Sequence, residues 1–570
     1  LVAVFFPIVF MDGMTGRLFR EFSIVVSGSV IISSFAALTF TPMLATKLLI
    51  KREKQSWFYR KTEPFFEGLN NLYSRSLAAF LRKRWIALPF TAAPILIIGF
   101  LWNHIPAEMA PLEDRSQISI NTRGAEGVTY EYIRDYTEDI NQLVDSIVPD
   151  AEAVTARVSS GSGNVRITLK DMQDRDYTQM EVAEKLSKAV QKKTMARSFV
   201  QQSSSFGGRR GGMPVQYVLQ ATNIEKLQEV LPKFMAKVYE NPVFQMADVD
   251  LKFSKPEARI NINRDKASIM GVSTRNIAQT LQYGLSGQRM GYFYMNGKQY
   301  EILGEINRQQ RNKPADLKGI YIRSDKGDMV QLDNLIELTN GIAPPKLYRY
   351  NRFVSATISA GLADGKTIGQ GLDEMDKIAK EVLDDTFRTA LTGDSKEYRE
   401  SSSSLMFAFI LAILLIYLIL AAQFESFKDP LIIMLTVPLA IAGALVFMYF
   451  GGITMNIFSQ IGIIMLIGLV AKNGILIVEF ANQKQETGED KMQAIKDAAL
   501  QRLRPILMTS ASTVLGLIPL AFATGEGCNQ RIAMGTAVVG GMLVSTLLTM
   551  YIVPAIYSYV STNRSKLKNE

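Results

Sequence analysis

The chain has 570 residues, 48% hydrophobic and 21% charged, with a formal net charge of +9 and a mean hydropathy of +0.08. That average fits neither a purely soluble globule nor a string of membrane helices, and it resolves into apolar and charged stretches along the sequence. A single cysteine, Cys528, rules out an internal disulfide, and with His104 as the only histidine no Cys/His metal cluster can form.

Leu1–Phe10 is apolar but only half a span long. It has no charged start and no small-residue cleavage site, so it reads as the end of a truncated transmembrane helix that begins upstream, not as a signal peptide. Residues 22–46 and 85–102 contain no Asp, Glu, Lys or Arg, and each can cross about 30 Å of hydrocarbon. His104 closes the second span as an interfacial polar residue. Between them, segment 47–84 is rich in basic residues, from Lys47 and Lys51 to Arg82, Lys83 and Arg84. Its Trp57, Phe58, Phe65, Phe66, Leu69, Leu72 and Tyr73 predict an amphipathic helix along the membrane surface.

A charged block follows, over about 105–400, with patterns of strand–helix–strand units. Strands are expected at Ser116–Asn121, Ala153–Val158 and Val165–Leu169, with helices at Tyr130–Ile147 and Gln179–Val190. The polar stretch Gln201–Gly212 reads as a flexible joint. A second copy of the pattern starts with strand Val215–Gln220, helix Ile224–Tyr239 and strands at 246–253 and 258–263. It resumes with strand Phe353–Ser359 and helix Thr367–Val382. The stretch 264–344 looks inserted, with Ser273 as N-cap of a helix Thr274–Tyr283.

Five further spans are expected at about 401–424, 430–450, 453–481, 503–525 and 532–560. Basic residues cluster in the loops at 425–429 and 483–504 and in the tail 564–570, which places those segments in the cytoplasm and the charged block outside. This asymmetry accounts for most of the positive charge without nucleic acid. Lys472 lies inside the third of these spans, too deep for its stem to carry the ammonium into water. An ammonium at that depth costs about 2.5–3.5 kcal/mol, so it needs an acidic partner or a watery cavity. A structural ion pair between helices or a proton or ion pathway would each meet that need. The sequence has no GxSxG, HExxH or P-loop pattern, so hydrolase, zinc-protease and ATPase chemistry, and with them an enzyme reading, lack support.

Four segments carry a family resemblance: Gly468-Leu-Val-Ala-Lys-Asn-Gly-Ile-Leu-Ile-Val-Glu-Phe480, Arg502-Leu-Arg-Pro-Ile-Leu-Met-Thr-Ser510, Phe40-Thr-Pro-Met-Leu44 and Pro106-Ala-Glu-Met-Ala-Pro111. With the element order, they make the chain resemble the C-terminal half of a resistance-nodulation-division (RND) efflux pump of the hydrophobe/amphiphile type. The resemblance implies an α-helical polytopic protein of a Gram-negative inner membrane, with a large α+β periplasmic region of ferredoxin-like repeats. It implies porter subdomains at 112–212 and at 213–257 with 345–390, and a docking subdomain at 258–344. It further implies a homotrimeric proton/drug antiporter for small amphiphilic or toxic molecules, working with a periplasmic adaptor and an outer-membrane channel. Its only energy source would be the proton gradient, with no cofactor. Lys472, Arg502 and Thr509 match the family's proton relay, whose acidic members lie outside this chain.

Two alternatives stay open: a superfamily relative moving lipid, protein or metal, and a non-transporting membrane scaffold. The resemblance also marks a departure. Multidrug members line this porter subdomain with phenylalanines, some on a glycine-rich loop, whereas Ala151–Lys170 has no aromatic residue and its loop Ser159–Asn164 is short. Arg157 and Arg166 stand on the flanking strands and favour carboxylate or phosphate groups, unless both simply face solvent. Phe199 is left as an aromatic at the entrance. Anionic amphiphiles are thus expected over cationic dyes.

Overall fold

The computed structural model describes residues 2–11, 13–48, 57–202, 213–343, 346–363 and 365–562. The expected tail 564–570, most of the joint before Gly212 and part of the basic run after Lys47 lie outside them. The chain divides into two compact units, one of residues 1–123, 133–250 and 349–570, the other of residues 124–132 and 251–348.

In the first unit, a short helix α1 (Val2–Phe5) precedes α2 (Gly13–Leu48), α3 (Trp57–Arg82) and α4 (Ala87–His104). The amphipathic α3 turns Tyr73, Leu77 and Leu81 inward while Phe65 and Leu72 stay exposed. Its Tyr73 hydroxyl donates to the Met550 carbonyl at 2.6 Å, and its Glu63 pairs with Arg504 at 3.2 Å.

The first sheet unit is β1 (Gln117–Arg123), α5 (Tyr130–Ile147), β2 (Ala153–Ser159), β3 (Ser162–Thr168), α6 (Gln179–Gln191) and β4 (Arg197–Gln202). Its strand order is β2-β3-β1-β4, with every pairing antiparallel. Alternate residues Ile118, Ile120, Val165 and Ile167 pack on Tyr136, Ile140 and Val144 of α5 and on Val182, Leu186 and Val190 of α6. The expected loop Ser159–Asn164 is instead a tight hairpin, because Gly161 takes φ +79° and Ser159 already pairs with Ser162. Gln201 and Gln202, expected in a joint, belong to β4 and pair with β1.

The second sheet repeats that path. It starts with β5 (Val215–Ala221), α7 (Ile224–Glu240) and β6 (Phe244–Val249), and the strand expected at 246–253 stops at Val249. The inserted unit follows: β7 (Lys255–Ile262), α8 (Arg264–Ile269), α9 (Thr274–Ser286), β8 (Gln288–Met295), β9 (Lys298–Gly304), β10 (Tyr321–Arg323), β11 (Met329–Gln331) and β12 (Ile336–Ala343). Ser273 caps α9 by accepting from the Asn276 N–H at 3.1 Å. A small core of Ala267, Val272, Ile277, Ile322, Leu332, Leu335 and Ile336 holds the insert together. The chain returns through β13 (Tyr348–Tyr350), β14 (Phe353–Leu362), α10 (Ile368–Val382) and β15 (Arg388–Leu391). β14 pairs with β6 and β5, and β5 with β15, so the order second-third-first-fourth recurs.

The remaining helices are α11 (Gly393–Phe424), α12 (Lys428–Met434), α13 (Thr436–Phe450), α14 (Ile457–Glu486), α15 (Lys491–Ala521) and α16 (Cys528–Val560). Seven helices among the described residues are long and apolar enough to cross a membrane. The loop expected at 483–504 is almost entirely helix, since α14 runs on to Glu486 and α15 starts at Lys491. Charged residues mark where an apolar stretch ends, not where a helix does, and α15 continues through Lys496, Arg502 and Arg504. Glycines let α16 pack close. A Cβ on Gly541 would sit 2.3 Å from Leu466 Cδ1 and 2.8 Å from the Ala440 carbonyl, and one on Gly540 would sit 2.5 Å from Phe447 Cβ.

Candidate functional site

Helix α14 starts at Asn456, whose buried side chain accepts from the Phe458 and Ser459 N–H groups while Ser459 bonds back to the Asn456 N–H. From that cap, Lys472 stands 15 residues after Ile457 and 14 before Glu486. At 1.5 Å per residue it is about 20 Å from either end. Most of α14 is buried, but Met465, Leu469, Lys472, Leu476, Glu479 and Gln483 follow a three-to-four-residue spacing along its less covered side, and Lys472 and Gln483 are exposed in this chain. Lys472 forms no hydrogen bond or ion pair among the described residues.

Its neighbour Asn473 points into the bundle and is 2% exposed. Asn473 Nδ2 reaches Ser510 Oγ of α15 at 3.3 Å and Thr546 Oγ1 of α16 at 3.4 Å, while Thr546 donates to Ser510 at 3.1 Å. Three helices thus meet at a polar knot directly beside Lys472. Thr509, one position before Ser510, donates to the Ile506 carbonyl at 3.1 Å, and Thr513 donates to the Thr509 carbonyl. Two turns earlier, the Arg502 guanidinium lies 4.4 Å from the ring centre of Phe480 on α14. Arg502 Nε is buried without a hydrogen-bond partner. Lys472, Arg502 and Thr509 therefore all belong to the α14–α15 pair, but no direct bond joins them to one another among the described residues.

The sequence assigns no structural role to Asn473, Ser510 or Thr546, because single polar residues in apolar helices are common. Their signal was position: Asn473 follows Lys472, and Ser510 follows Thr509. A second buried network was equally silent. Asp429 accepts from Asn482 Nδ2 at 3.1 Å and Ser561 Oγ at 3.2 Å, and Gln485 Nε2 donates to the Tyr557 hydroxyl at 2.6 Å.

The other candidate residues share one face of the first sheet. Register places Arg157, Asn164, Asn121 and Phe199 in a single row across β2, β3, β1 and β4. The next row holds Thr155, Arg166, Ser119 and Gln201. This face is opposite the one covered by α5 and α6, since Val165 and Ile167 point the other way. Arg157 and Arg166 are exposed and Phe199 is half-buried. Asn164 Nδ2 donates to Asn121 Oδ1 at 2.8 Å, and Asn121 Nδ2 to Gln201 Oε1 at 2.9 Å, which fixes a polar floor between them. At the far edge, Arg123 and Arg197 reach the same carboxylate, Asp248 of β6, at 3.3 and 3.4 Å. That double contact joins the first sheet to the second.

A sequence profile of the AcrB/AcrD/AcrF family matches residues 1–561. The chain is 31% identical over 577 aligned residues to an uncharacterized transporter of Haemophilus influenzae; the alignment covers all of this chain and 56% of that relative. The chain thus spans about half the length of the curated relative it matches. With seven membrane-length helices among the described residues and β-sheet regions beside them, the chain belongs to the AcrB/AcrD/AcrF family of RND transporters and is a polytopic membrane protein.

Proposed function

We propose that this chain supplies one half of a proton-driven efflux antiporter of a Gram-negative inner membrane, moving amphiphilic or toxic small molecules as part of a tripartite pump. The observation that carries this reading is Lys472. A lysine some 20 Å from either end of a membrane helix, on its less covered side, is too costly to persist unpaired in lipid. Carboxylates on a helix contributed by the rest of the transporter would pair with it, and a proton on those carboxylates would release it. Arg502, with its unbonded buried Nε, and Thr509 line the same helix pair and would complete the relay.

The proton changes the partner of Lys472, and α14, α15 and α16 share the Asn473–Ser510–Thr546 knot that such a change would strain. In this reading the two sheets are ferredoxin-like porter subdomains in the periplasm, consistent with their common split strand–helix order. The insert is the docking subdomain. Its hairpin β8–β9 exposes Met290, Tyr294 and Leu303, a surface suited to burial by a second copy in a homotrimer. A periplasmic adaptor and an outer-membrane channel would complete the path. The row of Arg157, Asn164 and Phe199, with Arg166 beside it, favours substrates that join an anionic group to an apolar body.

The experiment is efflux by the complete transporter, with its adaptor and channel, in an efflux-deficient host. Collapse of the proton gradient by an uncoupler at constant ATP should stop efflux within the mixing time. Efflux that continues unchanged would refute the proton-driven reading.

A further inference from the structure

We propose that residues 106–114 form a coupling belt that carries movement of α14 and α16 into the first sheet, with Glu113 and Asp114 as its two positioning residues; this rests on the proton-coupled reading of Lys472. The belt begins where α4 ends. It pairs with the segment leading into α14: the Met455 N–H donates to the Pro106 carbonyl at 2.8 Å, and the Glu108 N–H to the Met455 carbonyl at 3.0 Å. The Ile457 N–H, in the first turn of α14, donates to the Met109 carbonyl at 3.3 Å, and the Thr454 hydroxyl donates to the Glu108 carboxylate. The start of the helix that carries Lys472 is therefore fastened to the belt.

Four residues on, the belt grips α16. Its N-cap is Gly527, which has no side chain to satisfy the free N–H groups of the first turn. Glu113 does this from the belt: Oε1 accepts from the Gln530 N–H at 2.8 Å and Oε2 from the Asn529 N–H at 3.4 Å. Asn529 Nδ2 donates in turn to the Leu112 carbonyl at 2.7 Å. Glu113 is 1% exposed. A neutral cap from the helix itself would satisfy the same donors at lower desolvation cost. A buried carboxylate from a distant segment adds something a local cap cannot, which is a charge-assisted tie between two parts of the chain.

The next residue grips the sheet. Asp114 accepts from the Gln179 N–H at 2.9 Å and the Ser116 N–H at 3.1 Å, and pairs with Arg175, whose side chain is fully buried. Gln179 Oε1 closes the joint by accepting from the Arg115 and Gln117 N–H groups at 3.0 Å each. Adjacent carboxylates thus hold α16 on one side and α6 with β1 on the other. Between them one peptide unit leaves almost no slack. α14 and α16 are also the helices that meet at Asn473 and Thr546, so both ends of the path from Lys472 converge on this belt.

The test uses hydrogen–deuterium exchange on the complete transporter, with Lys472→Ala as the trigger in three backgrounds. In the otherwise wild-type protein, Lys472→Ala should change exchange about threefold or more both in α14 and in segments 117–123 and 179–191. In a Glu113→Gln background the change in α14 should remain and the change in the sheet should fall in part, because the α16 tie is lost while the tie of α14 at Pro106–Met109 persists. Asp114→Asn loosens the end that both ties share while leaving the α16 cap in place, and should reduce the sheet response below about 1.5-fold even where Glu113→Gln disturbs folding. The two together should do no more than Asp114→Asn alone, since both inputs reach the sheet through Asp114. A sheet response of wild-type size in Asp114→Asn overturns the belt. An α14 that does not respond to Lys472→Ala in the wild-type background overturns the Lys472 reading itself, a result distinct from failure of the belt.

Discussion

Asn473 on α14 donates from Nδ2 to Ser510 Oγ on α15 at 3.3 Å, and each of these residues directly follows a proposed relay residue, Lys472 and Thr509. The bond fixes how far α14 and α15 can rotate against one another. It therefore holds Lys472 on the less covered side of α14 while Asn473 faces the bundle.

Asn473→Ala should remove two long interhelical hydrogen bonds but leave the Ser510–Thr546 bond intact. Interhelical bonds of this kind contribute little in lipid, so a stability loss of about 1 kcal/mol is expected. Thermal unfolding in detergent checks the loss. Efflux by the complete transporter should fall several-fold more than that small loss explains, because Lys472 loses its orientation. Wild-type efflux from Asn473→Ala would show that the knot does not serve the relay.

Gly541→Leu should be far worse for folding. The new side chain would have to displace both Leu466 and the Ala440 carbonyl, and a backbone atom cannot move aside as a side-chain tip can. Overpacking of this kind costs roughly 1–3 kcal/mol or more. The expected outcome is low membrane yield and a lowered unfolding temperature. A variant as stable as the wild type would contradict the close approach of α16 to α13 and α14.

The fold was legible where periodicity speaks. Tyr130–Ile147 is helix over the limits its apolar spacing predicts, and Ser273 is the cap its position suggested. Periodicity also placed β1, β2, β3, β5, β6 and β14, but not β4, β13 or β15, and it put the strand at 258–263 in the second sheet although β7 pairs with β12 of the insert. Nor did it fix strand ends, since β6 stops at Val249, where Asp250 turns its side chain to accept from the Thr357 N–H at 2.7 Å. The start of α15 at Lys491 was hidden because a charged helical turn and a charged loop have similar composition. Lys472 stood out by its cost in lipid. Asn473, Ser510 and Glu113 did not, because a polar residue reveals its partner only when a distant segment is folded against it.

Glu108 gives a pH signature outside the membrane-length helices. Burial raises its pKa, and the hydrogen bond from the Thr454 hydroxyl only partly opposes that shift. A carboxyl with a raised folded pKa binds its proton more tightly in the folded state, so stability falls as pH rises from about the ordinary value of 4.5 through the raised one. Glu108→Gln keeps an acceptor for Thr454 and cannot ionise. It should flatten the fall, measured as unfolding temperature against pH. An unchanged slope would contradict the assignment.

Arg157→Glu with Arg166→Glu reverses the charge of the open face of the first sheet while leaving its buried side untouched. Protection by the complete transporter against bile salts should fall at least several-fold, and protection against ethidium should hold or rise. Loss of both to the same extent would point to a damaged sheet, which circular dichroism and unfolding temperature would reveal. Unchanged protection against both would place the substrate path elsewhere.

The central claim is that Lys472 is the ion-coupling lysine of a transporter, and the most direct measurement is efflux by the complete protein carrying Lys472→Ala. At unchanged membrane yield and unfolding temperature, efflux and drug resistance should drop to the level of the empty host. Full resistance from Lys472→Ala would contradict the account.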